Sequence, residues 1–575
     1  MKIGANYLGR GNCEFIVWAP FRESMEAILV SPSSREIRME KDDKGYWRAR
    51  VEDVEPGTFY YFRIQDGRER PDPASNFQPK GVHGPSGIVD HASFPWDDKE
   101  WKGIALEEMI IYELHVGTFT PKGDFDSVIH RIPDLKELGI NTIGLMPVAQ
   151  FPGKRNWGYD GTYPFAVQNS YGGPDELKKL VNACHQQGMA VALDVVYNHL
   201  GPEGNYFREY GPYFTRKYKT PWGEAVNFDE EYSDEVRNYF IENALFWFEQ
   251  YHIDALRLDS VHAIFDMSAQ RPREEHGYGL AAQWSDDFHH SVHTLLTSEN
   301  AGYYADFGKI SHLVKALQKG FVYDGQYSIY RKRRHGNSSA DRPARQFVVS
   351  IQTHDQVGNR MLGERLTQLV SFEALKLAAG IMLLSPYVPM LFMGEEYGEE
   401  APFLYFVNHG DPGLVEAVRK GRKEEFQSFR WQREPPDPQS IETFKGSKLN
   451  WEQREEGKGM LLLDLYRELI HLRREIPALT RLNKNDMQVS GDEKSKFVLM
   501  HRQEADSEIL TFFNFNQREV KKQQSIPGGS WEKILDSAHK NWNGPGDILP
   551  ESLHGKQQLT MPPLSFGLYL KENDQ

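Results

Sequence analysis

At 575 residues, 39% hydrophobic and 26% charged, the chain is too long for one hydrophobic core and too apolar to be disordered; roughly 100 to 200 residues per domain predicts about three to four units. A formal charge of −15, from 67 basic and 82 acidic residues, argues against nucleic acid as a partner, because a phosphate backbone selects for Lys and Arg patches. The longest apolar stretch, GIMLLSPYVPMLFMG, is broken by Pro386 and Pro389 and falls short of the ~18 residues a membrane span requires. Cys13 and Cys184 offer no disulfide framework and no metal spacing, and read as small buried apolar residues. The start MKIGANYLGRGNCEF has no apolar segment of the kind that marks a secretory signal, so a cytoplasmic protein is expected.

In chain order, the first elements are short strands separated by turns: FIVWAP, EAILVS, GYWRARV and FYYFRI, the last followed by Asp66-Gly67. This is the pattern of a small β-sandwich, placed at residues 1–95. A Pro- and Gly-rich link, RPDPASNFQPKGVHGPSG, carries no regular structure. The rhythm then changes to strand and helix in alternation: MIIYELHV, a helix through Ile132 to Leu138, INTIGLMPV, a helix through Leu177 to Gln187, AVALDVVY, the helix EVRNYFIENALFWFEQY, and IDALRLDS. It resumes with LAAQWSDDF, FVVSI, the helix EALKLAAGIML and PMLFMG. Near-continuous apolar strands alternating with helices predict a parallel sheet covered on both faces, closed into a (β/α) barrel at 96–480. Alternating strands without a helical period, KFVLMHR, EILTFFNF and SFGLYL, predict a second β-sandwich at 481–575.

The barrel stretch contains seven strand-like runs where an eight-fold barrel needs one more. Between Asp259 and Trp284 the sequence SVHAIFDMSAQRPREEHGYGLAAQ has no β-branched run and is too short for a helix, a strand and a return. One helix-strand unit, the fifth, is expected to be absent, leaving either an imperfectly closed barrel or a local rearrangement around residues 263–283.

Three strands end in carboxylates: Asp194 in VALDVVYNH, Asp259 in DALRLDSVH and Asp355 in SIQTHDQVGN. Acidic residues at successive strand mouths are where a barrel enzyme keeps its chemistry. Arg257 lies two residues before Asp259, so both side chains point to one side of the strand and the cation can hold the carboxylate ionised. Asp194 is followed by Asn198 and His199, and Asp355 is preceded by His354, a mixture of imidazole and carboxylate suited to gripping sugar hydroxyls around one glycosidic centre.

The motifs DVVYNH, RLDSVH and THDQ together resemble those of the α-amylase superfamily of glycoside hydrolases. Within it, VWAP, PDPASNFQPKGVHGPS, GPYFTRKYKTPWGEAVNFD, QWSDDFHH and MGEEYGEEAPFLYF are similar to the trehalose-releasing branch that cleaves maltooligosyltrehalose. The resemblance implies a retaining reaction with Asp259 as nucleophile and Asp355 as stabiliser of the oxocarbenium-like transition state. It implies that Asp194 supports Arg257, that Tyr159 of NWGYDG, His199 and His354 line the subsite of the reacting glucose, and that His262 and Gln356 are substrate contacts. Asp287, His289 and His290 of DDFHH are implied contacts as well, and Trp222 and Phe228 are candidates for stacking on sugars or filling the core. The implied substrate is an oligosaccharide, with no required cofactor, no metal, no nucleic acid and no membrane.

The general acid of the superfamily is a Glu on the fifth strand, and the corresponding segment is not found here. Glu274 and Glu275 are the nearest acids, in a polar stretch read as solvated charge. A retaining glycosidase needs two carboxyls about 5 to 5.5 Å apart, and loss of a positioned acid costs about 10² to 10⁴ in rate, so an impaired enzyme is expected. A glucan branching or debranching enzyme and a non-catalytic glucan-binding protein are the alternative readings. Glu395 and Glu396 in MGEEYGEE read as groups capping the last barrel strand and its loop.

Overall fold

The computed structural model describes residues 2–31, 33–266, 279–427 and 434–572. At its centre is a parallel sheet of seven strands. In chain order these are β1 (Ile111–Leu114), β2 (Thr142–Leu145), β3 (Ala190–Val195), β4 (Ala255–Leu258), β5 (Gln283–Trp284), β6 (Phe347–Val349) and β7 (Val388–Phe392). The lateral order is β4-β3-β2-β1-β7-β6-β5. Every neighbouring pair is parallel, with Ile111 opposite Thr142 and Met390, Thr142 opposite Ala190, and Asp194 opposite Arg257. β1 closes on β7 as the first and last strands of a barrel do, but no ladder joins β4 to β5 among the described residues.

The connections are helices that lay an apolar stripe on the sheet. They include α1 (Ile132–Leu138), α2 (Gly173–Gln186), α3 (Ser233–Tyr251), α4 (Asp286–Thr297), α5 (Ile310–Lys319), α6 (Phe372–Leu383) and α7 (Gly457–Glu475). α2 buries Leu177, Leu180, Val181 and Cys184 at helical spacing. Ser285 caps α4 by accepting from the Phe288 N–H.

The break in the sheet falls where the fifth unit of an eight-fold barrel would stand, between β4 and β5. β1, β6 and β7 are buried along their whole length, whereas all four residues of β4 are partly exposed. Among the described residues this opening is the imperfect closure the strand count predicts; of the 263–283 stretch where a rearrangement is the alternative, residues 267–278 lie outside the described residues. The Arg257 guanidinium reaches across it, 4.4 Å from the centroid of the Trp284 ring.

On the N-terminal side, a four-stranded sheet containing Gly4–Gly9, Asn12–Trp18 and Tyr46–Val51 accompanies a five-stranded sheet containing Met25–Ser31 and Phe59–Ile64. Phe15 joins them by edge contact with Tyr60 and Phe62, at 4.9 and 6.4 Å between centroids. On the C-terminal side a six-stranded and a two-stranded sheet enclose Phe512, Trp531 and Leu559. The buried Lys376 of α6 ties this region to the barrel, donating to the carbonyls of Ser537 and Trp542 at 2.7 and 2.8 Å.

Glu395 and Glu396 begin the turn that follows β7 and are almost wholly enclosed. Glu395 accepts from the Tyr466 hydroxyl at 3.0 Å and Glu396 from the Tyr112 hydroxyl at 3.0 Å. Burial pushes the pKa of Glu395 up to about 8 and that of Glu396 up to about 7. The fold therefore binds protons that the unfolded chain releases above its carboxylate pKa. The stabilisation is present below about pH 4.5 and is lost as pH rises towards 8. Glu395→Gln keeps an acceptor for Tyr466 without the charge, and is expected to make the protein about 2–4 kcal/mol more stable relative to the parent at pH 8 than at pH 5. Urea denaturation at the two pH values measures this; a difference that does not change with pH would show that Glu395 is ionised in the fold.

Candidate active site

The site is built at the ends of β1, β3, β4, β5 and the β6 loop, around a cavity of about 410 Å³. Asp194, Arg257, Asp259, His262, Trp284, Asp286 and Asp355 are on its wall. Pleating explains the grouping on β4, since Arg257 and Asp259 are two residues apart and emerge on one face. Asp259 N–H donates to Val195 O at 3.0 Å, which carries the β3–β4 ladder one residue beyond the strand and fixes the direction of the side chain. Ser260 then takes a positive φ of 42°, a left-handed conformation that turns the chain sharply at this point.

A single nitrogen, Arg257 Nη1, donates to Asp259 Oδ1 at 2.9 Å and to Asp194 Oδ2 at 2.7 Å. Opposed to both carboxylates, the guanidinium is held well above its already high pKa despite burial. Asp194 Oδ2 also accepts from the Tyr159 hydroxyl at 2.6 Å. Burial, set against the attraction of Arg257, pushes the pKa of Asp194 up to about 6. Gly158 lets Tyr159 reach this point: its φ is 105°, and a Cβ there would run into the carbonyl of Pro147.

The Tyr159 oxygen lies 2.7 Å from His354 Nε2, and His354 Nδ1 lies 2.5 Å from Glu113 Oε1. Burial alone would lower the His354 pKa, but the adjacent Glu113 carboxylate outweighs it and carries the pKa up to about 9. The imidazole is thus a cation near neutrality, donating to Glu113 on one side and to Tyr159 on the other, while Tyr159 donates onward to Asp194. Glu113, His354, Tyr159, Asp194, Arg257 and Asp259 form one chain of charge-assisted hydrogen bonds. Asp355 follows His354 at the start of a short helix, Oδ1 3.5 Å from His354 Nε2, with half of its side chain open to the cavity.

His199 packs behind Tyr159, with Nε2 3.0 Å from the Tyr159 carbonyl and its ring stacked on Trp222 at 4.6 Å. Burial lowers its pKa, so it is neutral, and among the described residues neither its Nδ1 nor Asp194 Oδ1 has a partner. Buried orphan atoms of this kind suit hydroxyls of an incoming sugar. Trp222 presents its ring on the surface, whereas Phe228 is buried in the core. Gln356 reaches the site through Asp286, donating from Nε2 to Oδ1 at 2.9 Å.

The DDFHH segment divides. Asp286 faces the cavity, but Asp287 turns away and accepts the backbone N–H groups of Val322 and Tyr323 at 2.7 and 2.8 Å. His289 and His290 sit in a ring cluster with His293, Tyr303 and Tyr304, where burial pulls both pKa values down, that of His290 to about 3. These three residues are not on the cavity wall. Glu113, Trp284 and Asp286 are site residues that motif reading passes over. For Glu113 the available signal is a lone acid inside the otherwise apolar run MIIYELHV.

Glu274 and Glu275 lie outside the described residues. No cluster of three metal-ligating side chains occurs among the described residues, and none of the described helices is long and apolar enough to cross a membrane.

The family model for the α-amylase catalytic domain matches residues 84–222. A malto-oligosyltrehalose trehalohydrolase of Saccharolobus solfataricus is 47% identical over 490 residues, covering 80% of this chain and 85% of that protein. The enzyme of the same name from Arthrobacter ramosus is 42% identical, covering 81% and 88%. A crystal structure described as a putative α-amylase from Salmonella typhimurium superposes with a TM-score of 0.88 at 36% identity, covering 99% of each chain. On a curled parallel sheet whose strand mouths carry these carboxylates, identity of that extent leaves one assignment: the chain belongs to the malto-oligosyltrehalose trehalohydrolase family of the α-amylase superfamily.

Proposed function

We propose that this protein hydrolyses the α-1,4-glucosidic bond next to the terminal trehalose of maltooligosyltrehalose, releasing trehalose with retention of configuration, in the cytoplasm. The observation that carries the reading is Arg257, which holds Asp259 beside Asp194 and across the cavity from Asp355. Asp259, held in place by the guanidinium, attacks the anomeric carbon and forms a glycosyl-enzyme ester. Asp355 faces the positive charge that develops on the sugar ring. Tyr159, His199 and His354 orient the reacting glucose, with His354 supplying a fixed positive charge to its hydroxyls. The family reaction needs carboxyl groups and water only, so no cofactor is required.

The open seam favours a second reading, a glucan-binding protein that has lost its proton donor. The two separate on incubation of the purified chain with maltooligosyltrehalose and with amylose. Trehalose release supports the first reading. Calorimetric binding of maltooligosaccharides without any release supports the second, and transfer of chain segments on amylose would sink both in favour of a branching enzyme.

A further inference from the structure

Among the described residues, five carboxyl groups line the cavity: Glu113, Asp194, Asp259, Asp286 and Asp355. Four of them are committed to cations. Glu113 is bound to His354, Asp194 and Asp259 share Arg257, and Asp355 lies beside His354. A general acid must carry a proton at rest, release it, and take one back, which a carboxylate locked against a guanidinium or imidazolium does poorly. Asp286 differs, because its one hydrogen bond among the described residues comes from the neutral amide of Gln356.

Its placement follows from strand register. β4 and β5 run in the same direction on either side of the seam, and Arg257 touches Trp284 across it at 4.4 Å. Asp259 is two residues beyond Arg257, and Asp286 two beyond Trp284. Ser285, between them, turns outward to donate to Gly320 O at 2.6 Å, and its N–H continues the ladder to Val348 O at 2.8 Å. Asp286 then opens α4 and lies with Asp259 on the wall of the cavity. Crowding by protein and then the charge of Asp355 push its pKa up to about 6. Asp287 adds to the rise and Arg257 and Arg331 oppose it. The carboxyl is nevertheless open to solvent through the cavity, where a substrate would meet it.

We propose that Asp286 is the proton donor of this chain, taking the place of the acid that the missing barrel unit would carry. The proposal rests on the retaining-hydrolase reading above. In the first step the bond between Asp259 Oδ and the anomeric carbon forms, the glycosidic C–O bond breaks, and the proton of Asp286 passes to the leaving trehalosyl oxygen. In the second, water attacks the anomeric carbon, its proton returns to the Asp286 carboxylate, and the ester to Asp259 breaks. Charge and atoms balance without a further reagent. Activity then falls as pH rises through about 6, because the proton is lost.

Two substrates test this: maltooligosyltrehalose, whose leaving oxygen needs a proton, and α-maltosyl fluoride, whose leaving group does not. Asp286→Asn is expected to lower kcat/KM for trehalose release about 10²- to 10⁴-fold and for the fluoride no more than about threefold. It is also expected to remove the alkaline limb near pH 6, and to let azide, a nucleophile that needs no base, restore turnover with maltosyl azide as product. Equal loss on both substrates would assign Asp286 to binding or folding and overturn the proposal, as would no loss on either. Selective loss in the Glu274→Gln, Glu275→Gln double variant would overturn it in favour of those residues. A parent chain that hydrolyses the fluoride but not maltooligosyltrehalose overturns the donor alone, whereas a parent inert to both overturns the hydrolase reading with it.

Discussion

Asp259→Asn is expected to abolish hydrolysis of both maltooligosyltrehalose and α-maltosyl fluoride while leaving maltooligosaccharide binding within a few-fold of the parent. The substitution is nearly isosteric, and the amide oxygen can still accept from Arg257 Nη1 where the carboxylate did at 2.9 Å. What disappears is the anionic nucleophile, and losses of about 10⁴ to 10⁶ in turnover follow removal of such a group. The fluoride belongs in the test because its departure does not wait for a proton, so loss on that substrate isolates the attacking group. Retained turnover at more than about a hundredth of the parent would place the nucleophile elsewhere, and loss of binding in parallel would mean the site had collapsed.

Filling the seam is the second large effect. A helix-strand unit ending in Glu, of the kind the superfamily resemblance implies for the fifth position of the barrel, inserted between residues 266 and 279, should pair with β4 on one edge and β5 on the other. Both edges are free among the described residues, and pairing removes exposed N–H and C=O groups as well as covering the part-exposed Ala255, Leu256 and Leu258. With a carboxyl about 5 to 5.5 Å from Asp259, the inserted Glu should take over proton donation, so that Asp286→Asn, which costs the parent about 10²- to 10⁴-fold in trehalose release, should cost the insert variant little. An insert variant that still loses about 10²-fold or more on Asp286→Asn would show that the inserted Glu does not donate the proton.

Much of this was open to sequence reading because it depends on short-range regularities. Alternation on a strand puts Arg257 and Asp259 together whatever the rest of the fold does, and the missing unit shows as a stretch too short to cross a barrel and return. The DDFHH segment shows where such reading stops. Asp286, Asp287, His289 and His290 are nearly contiguous, yet the first turn of α4 sends Asp286 to the cavity, Asp287 to the Val322–Tyr323 backbone, and the histidines to an aromatic cluster. Helical rotation of ~100° per residue separates neighbours that a motif treats as one unit. The Glu113–His354 pair is hidden for another reason: its members are 241 positions apart, and only closure of β1 on β7 brings them into contact.

The cavity that holds Asp259 also reaches Leu106, Met109 and Ile111, at the far end of the barrel from the strand mouths. In a closed barrel that interior is packed with side chains; here it stays continuous with the nucleophile. On the proposed mechanism, once trehalose has left, the glycosyl ester on Asp259 faces a cavity that is open, among the described residues, at the flank as well as at the mouth. A sugar acceptor must arrive through the mouth and fit the subsites, while water can enter along either route. On the proposed mechanism, the seam left open among the described residues therefore favours hydrolysis over transglycosylation as the fate of the covalent intermediate.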